Sequence, residues 1–332
     1  MTLVRSPLAQ VPALLAACAL LVTSAGCGKS KKTTGPSGDD SGLHLLAFAT
    51  TRVSGTPAEY DVVIYDSDAG VYHSTAGLNA AVVQSQPCIA DDGSVVAFAS
   101  TRTGGAGGSD ILIYDRLNQT VKAPANLNTA ANETYPRFTH DNKKLAFVRD
   151  SAGVTRVRLY DGDTSALTLL PGIDSPGATS DDAPAPDLTG ARIAFASNRS
   201  GAWHVYVWNS GSGVAATPAL VGDTLDTEPS LSANGRWLAF ASNRSGGAGG
   251  WDVYLYDLQS SAFVPLPRLN TAGDERHPTV NGDGSVLFFQ SRPDAASRWS
   301  LWRYSLVDSN RVQPAGLPSA AGDDREPCLR WP

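Results

Sequence analysis

Few side chains of this sequence are grouped as acid-base, nucleophilic or metal chemistry requires. Its five histidines, His44, His73, His140, His204 and His277, share no metal-ligand spacing. It holds no G-x-S-x-G, H-E-x-x-H or C-x-x-C motif. The expected sets of catalytic residues, metal ligands and cofactors are therefore empty, which leaves the chemistry of recognition. Tyr60, Trp203, Trp251 and Trp299 each close a loop just ahead of a stretch such as "DVYLYD". Rings with an apolar body and a polar tip are frequent at protein contacts and also stack on sugars. Glu228, Glu275 and Glu326 stand with Glu133, Asp226, Asp274 and Asp324 just ahead of prolines.

These side chains recur because the sequence does. "AFATTR" at 47 returns as "AFASTR" at 97 and as "AFASNRSG" at 194 and 239. Phe48, Phe98, Phe147, Phe195, Phe240 and Phe289 lie 45 to 50 residues apart, and Pro87, Pro136, Pro184, Pro229 and Pro278 each precede the last five by eleven. A period of this size marks a repeat architecture. Each unit reads as four short strands: in the fifth, "PSLS", the turn "ANGR", "WLAFAS", the loop "NRSGGAGG", "DVYLYD", a turn and "AFVPLPRL". No stretch after Leu43 sustains a helical period. The expected fold is all-β, a six-bladed β-propeller of four-stranded antiparallel blades over residues 43–332. The chain enters at the second strand of blade one, and "REPCLRW" supplies that blade's missing first strand, closing the ring and hiding its edges. Removing residues 324–332 is expected to destabilise the whole ring, which a melting temperature reads directly.

The unit "EPSLSANGRWLAFASNRSGGAGGWDVYLYD" resembles the propeller repeat of TolB and of the bacterial proteins that share it, and the resemblance runs from Leu43 to Trp331. It implies the propeller fold, export, and a binding role in the cell envelope. TolB carries an α/β domain ahead of its propeller, and the residues ahead of Leu43 do not resemble it. The resemblance does not carry over TolB's partners.

A residue that recurs in every blade serves the fold, and function is expected where the copies differ. Arg52, Arg102, Arg149, Arg199, Arg244 and Arg292 recur, so pairing with the acids ahead of the prolines reads as a loop clamp, worth only about 0–1 kcal/mol at a wet surface. "YDSDAG" and "YDGDTS" offer two carboxylates where calcium wants six to eight oxygens, so they read as turns capped by Asp. The loops between second and third strands are longest over blades five, six, one and two and shortest over blade four. The residue closing them is aromatic in blades four, five, six and one but Ser109 and Thr155 in two and three. An aromatic crescent is thus expected on the face bearing the acids, with packing between blades as its structural alternative. Cys88 and Cys328 each follow a repeated proline in neighbouring blades, so a disulfide there would lock the ring at its closure. Equivalent positions point in one rotational sense, so bridging requires both to lean into the channel.

Residues 1–27 read as an export signal: Arg5, an apolar run from Val11 to Val22, then "SAGC", which resembles a lipoprotein processing box with Cys27 as the acylated residue. Cys18 after "LAA" and plain cleavage after Ala25 are the alternatives. Residues 28–42 are small, charged and turn-forming, a flexible tether. Gly28 after Cys27 resembles sorting to the outer membrane, with a periplasmic location the alternative. The apolar share of 42% allows a large core, and a net charge of -6 argues against a grip on nucleic acid. The expected function is a non-enzymatic platform on the envelope, held to the membrane only by lipid, that binds a protein or peptide. The alternative is a carbohydrate-binding or carbohydrate-cleaving protein that stacks glycan on the crescent and uses its acids as lyase or hydrolase groups.

Overall fold

The computed structural model describes residues 45–52, 59–173, 179–216, 224–317 and 322–329. Cys18, Cys27, the tether and the ends of the propeller assignment, residues 43–44 and 330–332, lie outside them. The described residues form six four-stranded antiparallel sheets, a six-bladed β-propeller. Blade one is built from Leu45–Thr50, Asp61–Asp66 and Val71–Tyr72, with Asp324–Leu329 as its inner strand, paired antiparallel to Leu45–Thr50. The terminal strand therefore closes the ring.

The repeated "AF" strands are apolar throughout because both faces of every blade are covered by a neighbour. Phe48, Phe98, Phe147, Phe195, Phe240 and Phe289 are fully buried. One core cluster joins Leu46, Phe48 and Tyr65 of blade one to Phe288 and Leu301 of blade six, and another joins Leu45, Ala47 and Ile64 to Phe98 and Tyr114 of blade two. Each buried Phe contributes about 1.5–3 kcal/mol of transfer free energy, so blade stacking dominates the stability. Third-strand aromatics add a polar tie to the preceding blade's connecting loop: Tyr114 donates to Ala76 O at 3.0 Å, Tyr160 to Ala125 O at 2.9 Å, Trp208 to Pro171 O at 2.9 Å and Tyr304 to Pro267 O at 3.0 Å.

The inner strands depart from regularity in the same way. Gln86, Tyr135, Ala183, Glu228, His277 and Glu326 all have φ between 47° and 57°, each immediately ahead of a repeated proline, and the ladder shifts register there. Proline disfavours the right-handed helical region for the residue before it. The left-handed alternative costs these non-glycine residues about 1 kcal/mol or more each. Side chains from the same ring help to offset that cost by accepting the bulged N–H groups. Glu326 Oε2 accepts from Gln86 N at 2.6 Å, Gln86 Oε1 from Tyr135 N at 3.0 Å and Glu228 Oε2 from His277 N at 2.8 Å. Where the ring supplies no such acceptor, Asp182 takes Ala183 N at 2.8 Å and Gln290 takes Glu326 N at 2.8 Å.

Candidate functional site

Antiparallel pairing places the loops between second and third strands, with the starts of the inner strands, on one face of the ring. The tight turns lie on the other. The repeated arginines hold the loop face from below. Arg149 Nε meets Glu133 at 2.8 Å, Arg199 meets Asp181 at 2.9 Å, Arg244 meets Asp226 at 2.8 Å, Arg292 meets Asp274 at 2.9 Å, and Arg52 pairs with Asp324. Blade two has Gln84 in place of the acid, and Arg102 donates instead to Leu78 O. In blade six a guanidinium from the outer strand, Arg311, bonds Glu275 at 3.1 Å and Leu269 O at 2.6 Å. The clamp reading of the arginines holds. The aspartate-rich turns likewise cap themselves: Asp66 Oδ1 accepts from the N–H groups of Asp68 and Ala69, and Asp161 Oδ1 from those of Asp163 and Thr164.

The three predicted binding glutamates are all engaged inside the fold. Glu275 is fully buried and accepts from Thr271, Ser291 and Arg311. Glu228 is 9% exposed and is held by Arg276, by His277 Nε2 at 3.1 Å and by the His277 N–H. Burial works against its charge, but His277 and Arg276 outweigh burial and hold its carboxyl below the usual range. Burial pushes the His277 imidazole down. Glu326 ties blade one to blade two through Gln86.

The aromatic crescent divides. Trp299 is 6% exposed, its ring under Arg292 and its backbone N–H on Asp323 at 2.8 Å, so it is wall rather than rim. Tyr60, Trp203 and Trp251 are part-exposed. All four backbones tie the blades together, because the carbonyls of Tyr60, Trp203, Trp251 and Trp299 accept from Gln84, Asp226, Glu275 and Asp324 N–H groups of the next inner strand at 2.7 to 3.0 Å. The side chains are freer. Arg276 lies over Trp251 at 4.3 Å and Arg325 over Tyr60 at 5.2 Å, while the Tyr60 hydroxyl donates to Asp323 at 2.7 Å. Burial, with that hydrogen bond, raises the phenol well above its ordinary value.

Inside the crescent the inner strands converge on the channel, which narrows to a cavity of about 60 Å³. Tyr135, Glu228 and His277 line it, and Asp182, Arg276, Arg325 and Glu326 stand ahead of the same repeated prolines on their own inner strands. Burial, moderated by the Ala183 N–H and reinforced by Glu228, raises the Asp182 carboxyl to about 6. Deeper in, Arg137 donates to Gln86 O and Pro87 O at 3.4 Å. At the turn end His140 bonds Asp91 at 2.8 Å, and its other ring nitrogen faces Leu231 O at 3.4 Å. These contacts outweigh the burial that opposes charge, so the His140 pKa is raised.

Sequence reasoning missed Tyr135, Asp182, Arg276 and Arg325. The signal was present: they occupy the two positions ahead of the repeated prolines, where the six copies differ most. Among the described residues no three His, Cys, Asp or Glu side chains are grouped to hold a metal ion.

Six blades around this channel, with the terminal strand in blade one, make the molecule a six-bladed β-propeller closed by its terminal strand. Its fold is similar to that of TolB from Acinetobacter baumannii (TM-score 0.69, 23% identity, covering 90% of this chain and 69% of that one). It is also similar to a putative TolB from Agrobacterium tumefaciens (0.60, 13%, covering 87% and 99%) and to an oligogalacturonate lyase in complex with manganese (0.55, 14%, covering 81% and 73%). The sequence matches no protein-family model and no curated protein.

Proposed function

We propose that the protein is a non-enzymatic, envelope-anchored binding platform whose loop face receives a protein or peptide segment, with Trp251 and Arg276 at the centre of the contact and Tyr60, Arg325 and Trp203 around it. One observation carries this reading. Blades two and five have nearly the same loop, "GGAGGSD" and "GGAGGWD", folded with the same hydrogen bonds, so the scaffold is served by Ser109 in one and does not require Trp251 in the other. A large ring placed where a serine suffices, stacked on a guanidinium that is 29% exposed, has the make-up of a contact anchor. Nε of Arg276 and Nε of Arg325 have no hydrogen-bond partner. The two side chains are 29% and 40% exposed, and their guanidinium groups suit the carbonyls or carboxylates of a bound chain.

The amino-terminal segment supports export and an anchor through Cys27. The test is affinity capture from solubilised envelope with the intact chain beside Trp251→Ser, which recreates the blade-two loop and so leaves the fold in place. One protein retained by the parent and lost with the variant is the expected result. Retention of glycan in place of protein would sink the platform and leave the carbohydrate reading.

A further inference from the structure

The residues that follow the six repeated prolines form a second ring lower in the channel: Cys88, Arg137, Ala185, Ser230, Thr279 and Cys328. All six line its cavity. The two cysteines are adjacent in this ring and stand on either side of the ring's closure, one on the terminal strand of blade one and the other on the inner strand of blade two. The bulge ahead of each proline brings both sulfurs to the channel side, where they meet at 3.0 Å, each at least 93% buried. They are the only cysteines among the described residues, and both are thiols in this structure. Backbone pairing from Leu46, Ala47, Ala49 and Thr50, with the side chains of Thr50 and Arg52 on Asp324, holds the terminal strand to the ring without a covalent link. A bond between the sulfurs would add a covalent tie to the next blade.

We propose that Cys88 and Cys328 are a disulfide site that staples the terminal strand to blade two when the ring closes. The charged groups around it are Arg137 from blade three and the Asp91–His140 pair at the turn end. The hydrogen bond between the sulfurs, together with the Arg137 charge, outweighs burial and favours Cys328 as the thiolate, whereas burial pushes the Cys88 thiol up. Cys328 is then the attacking sulfur. While the terminal strand is still docking, its thiolate attacks one sulfur of an exchangeable disulfide, such as glutathione disulfide, forming a mixed disulfide and expelling one thiolate. Cys88 gives its proton to solvent and attacks Cys328 Sγ, forming the Cys88–Cys328 bond and releasing the second thiolate. Two protein thiols are oxidised by two electrons and one external disulfide is reduced to two thiols. The link encloses most of the propeller in one loop, and such a loop constrains the unfolded chain strongly.

The experiment needs no variant to be decisive. The full chain, refolded from denaturant with glutathione disulfide, is then denatured, alkylated without reduction, digested and mapped, and its melting is compared with that of the reduced chain. A peptide pair joined through Cys88 and Cys328 is expected, with melting raised by about 5 °C or more. The double variant Cys88→Ser with Cys328→Ser should melt alike with and without oxidant. Cys88 and Cys328 both alkylated after oxidation, pairing of either with another cysteine, or a joined pair with unchanged melting would each overturn the staple.

Discussion

The boundary between blades two and three and the boundary between blades five and six are near copies of each other. In the first, Asp110 Oδ1 accepts from Ala106 and Gly107 N–H groups at 3.2 and 3.3 Å. Asn128 brackets the Ile111 backbone, and Thr129 donates to Glu133 at 2.6 Å. In the second, Asp252 Oδ1 accepts from Ala248 and Gly249 at 3.2 Å, Asn270 brackets Val253, and Thr271 donates to Glu275 at 2.7 Å. Two side chains on the open face set them apart: Ser109 and Thr134 in the first stand where Trp251 and Arg276 do in the second. The comparison separates what a blade boundary needs from what has been added to one boundary only.

The largest effect should fall on the shared part. Glu133→Ala and Glu275→Ala each remove a fully buried carboxylate and leave a guanidinium unpaired, Arg149 in one and Arg311 in the other. Each should cost about 3–5 kcal/mol in urea unfolding. Unequal costs would mean that the two boundaries are not equivalent.

Next come the glycines that let the loops lie flat. A Cβ at Gly107 would press on Ala131 O, and one at Gly249 on Gly273 O, with backbone on both sides. Gly107→Ala and Gly249→Ala should each destabilise by about 1–3 kcal/mol.

Asp182 extends the test to the channel mouth and to pH. Its folded pKa, about 6, lies above the unfolded value near 3.8, so the fold favours the protonated form. That contribution is complete below about pH 4 and is lost as pH rises through about 6, so wild type carries a penalty at neutral pH. Asp182→Asn should gain about 1–3 kcal/mol at pH 7 and nothing at pH 3.5, read from unfolding curves at both. The smallest stability effect belongs to the difference itself. Trp251→Ser should cost no more than about 1 kcal/mol while weakening partner binding at least tenfold, and Ser109→Trp should alter neither by as much.

Much of the architecture was legible because a recurring Phe, Pro and Arg declare a blade whatever lies between them, and pairing the arginines with acids followed from recurrence alone. The crescent was legible only in part. Tyr60, Trp203, Trp251 and Trp299 share a sequence position, but exposure depends on what folds over each one, and Arg292 lies over the Trp299 ring. The pre-proline ring was hidden for another reason. Left-handed backbone announces itself through glycine or asparagine, and the six positions hold Gln, Tyr, Ala, Glu, His and Glu. Their conformation comes from the bulge and from acceptors supplied around the ring, neither of which a local window contains.

The pairing of Thr50 with Asp324 spans 274 residues and joins the start of the described propeller to its end. Such a contact forms late, since the loop it closes is the whole molecule. Until then the strand Leu45–Thr50, apolar on both faces, has a bare edge. A chain that lacks Asp324–Leu329 keeps that edge bare, and a bare apolar edge is a template for pairing with another chain.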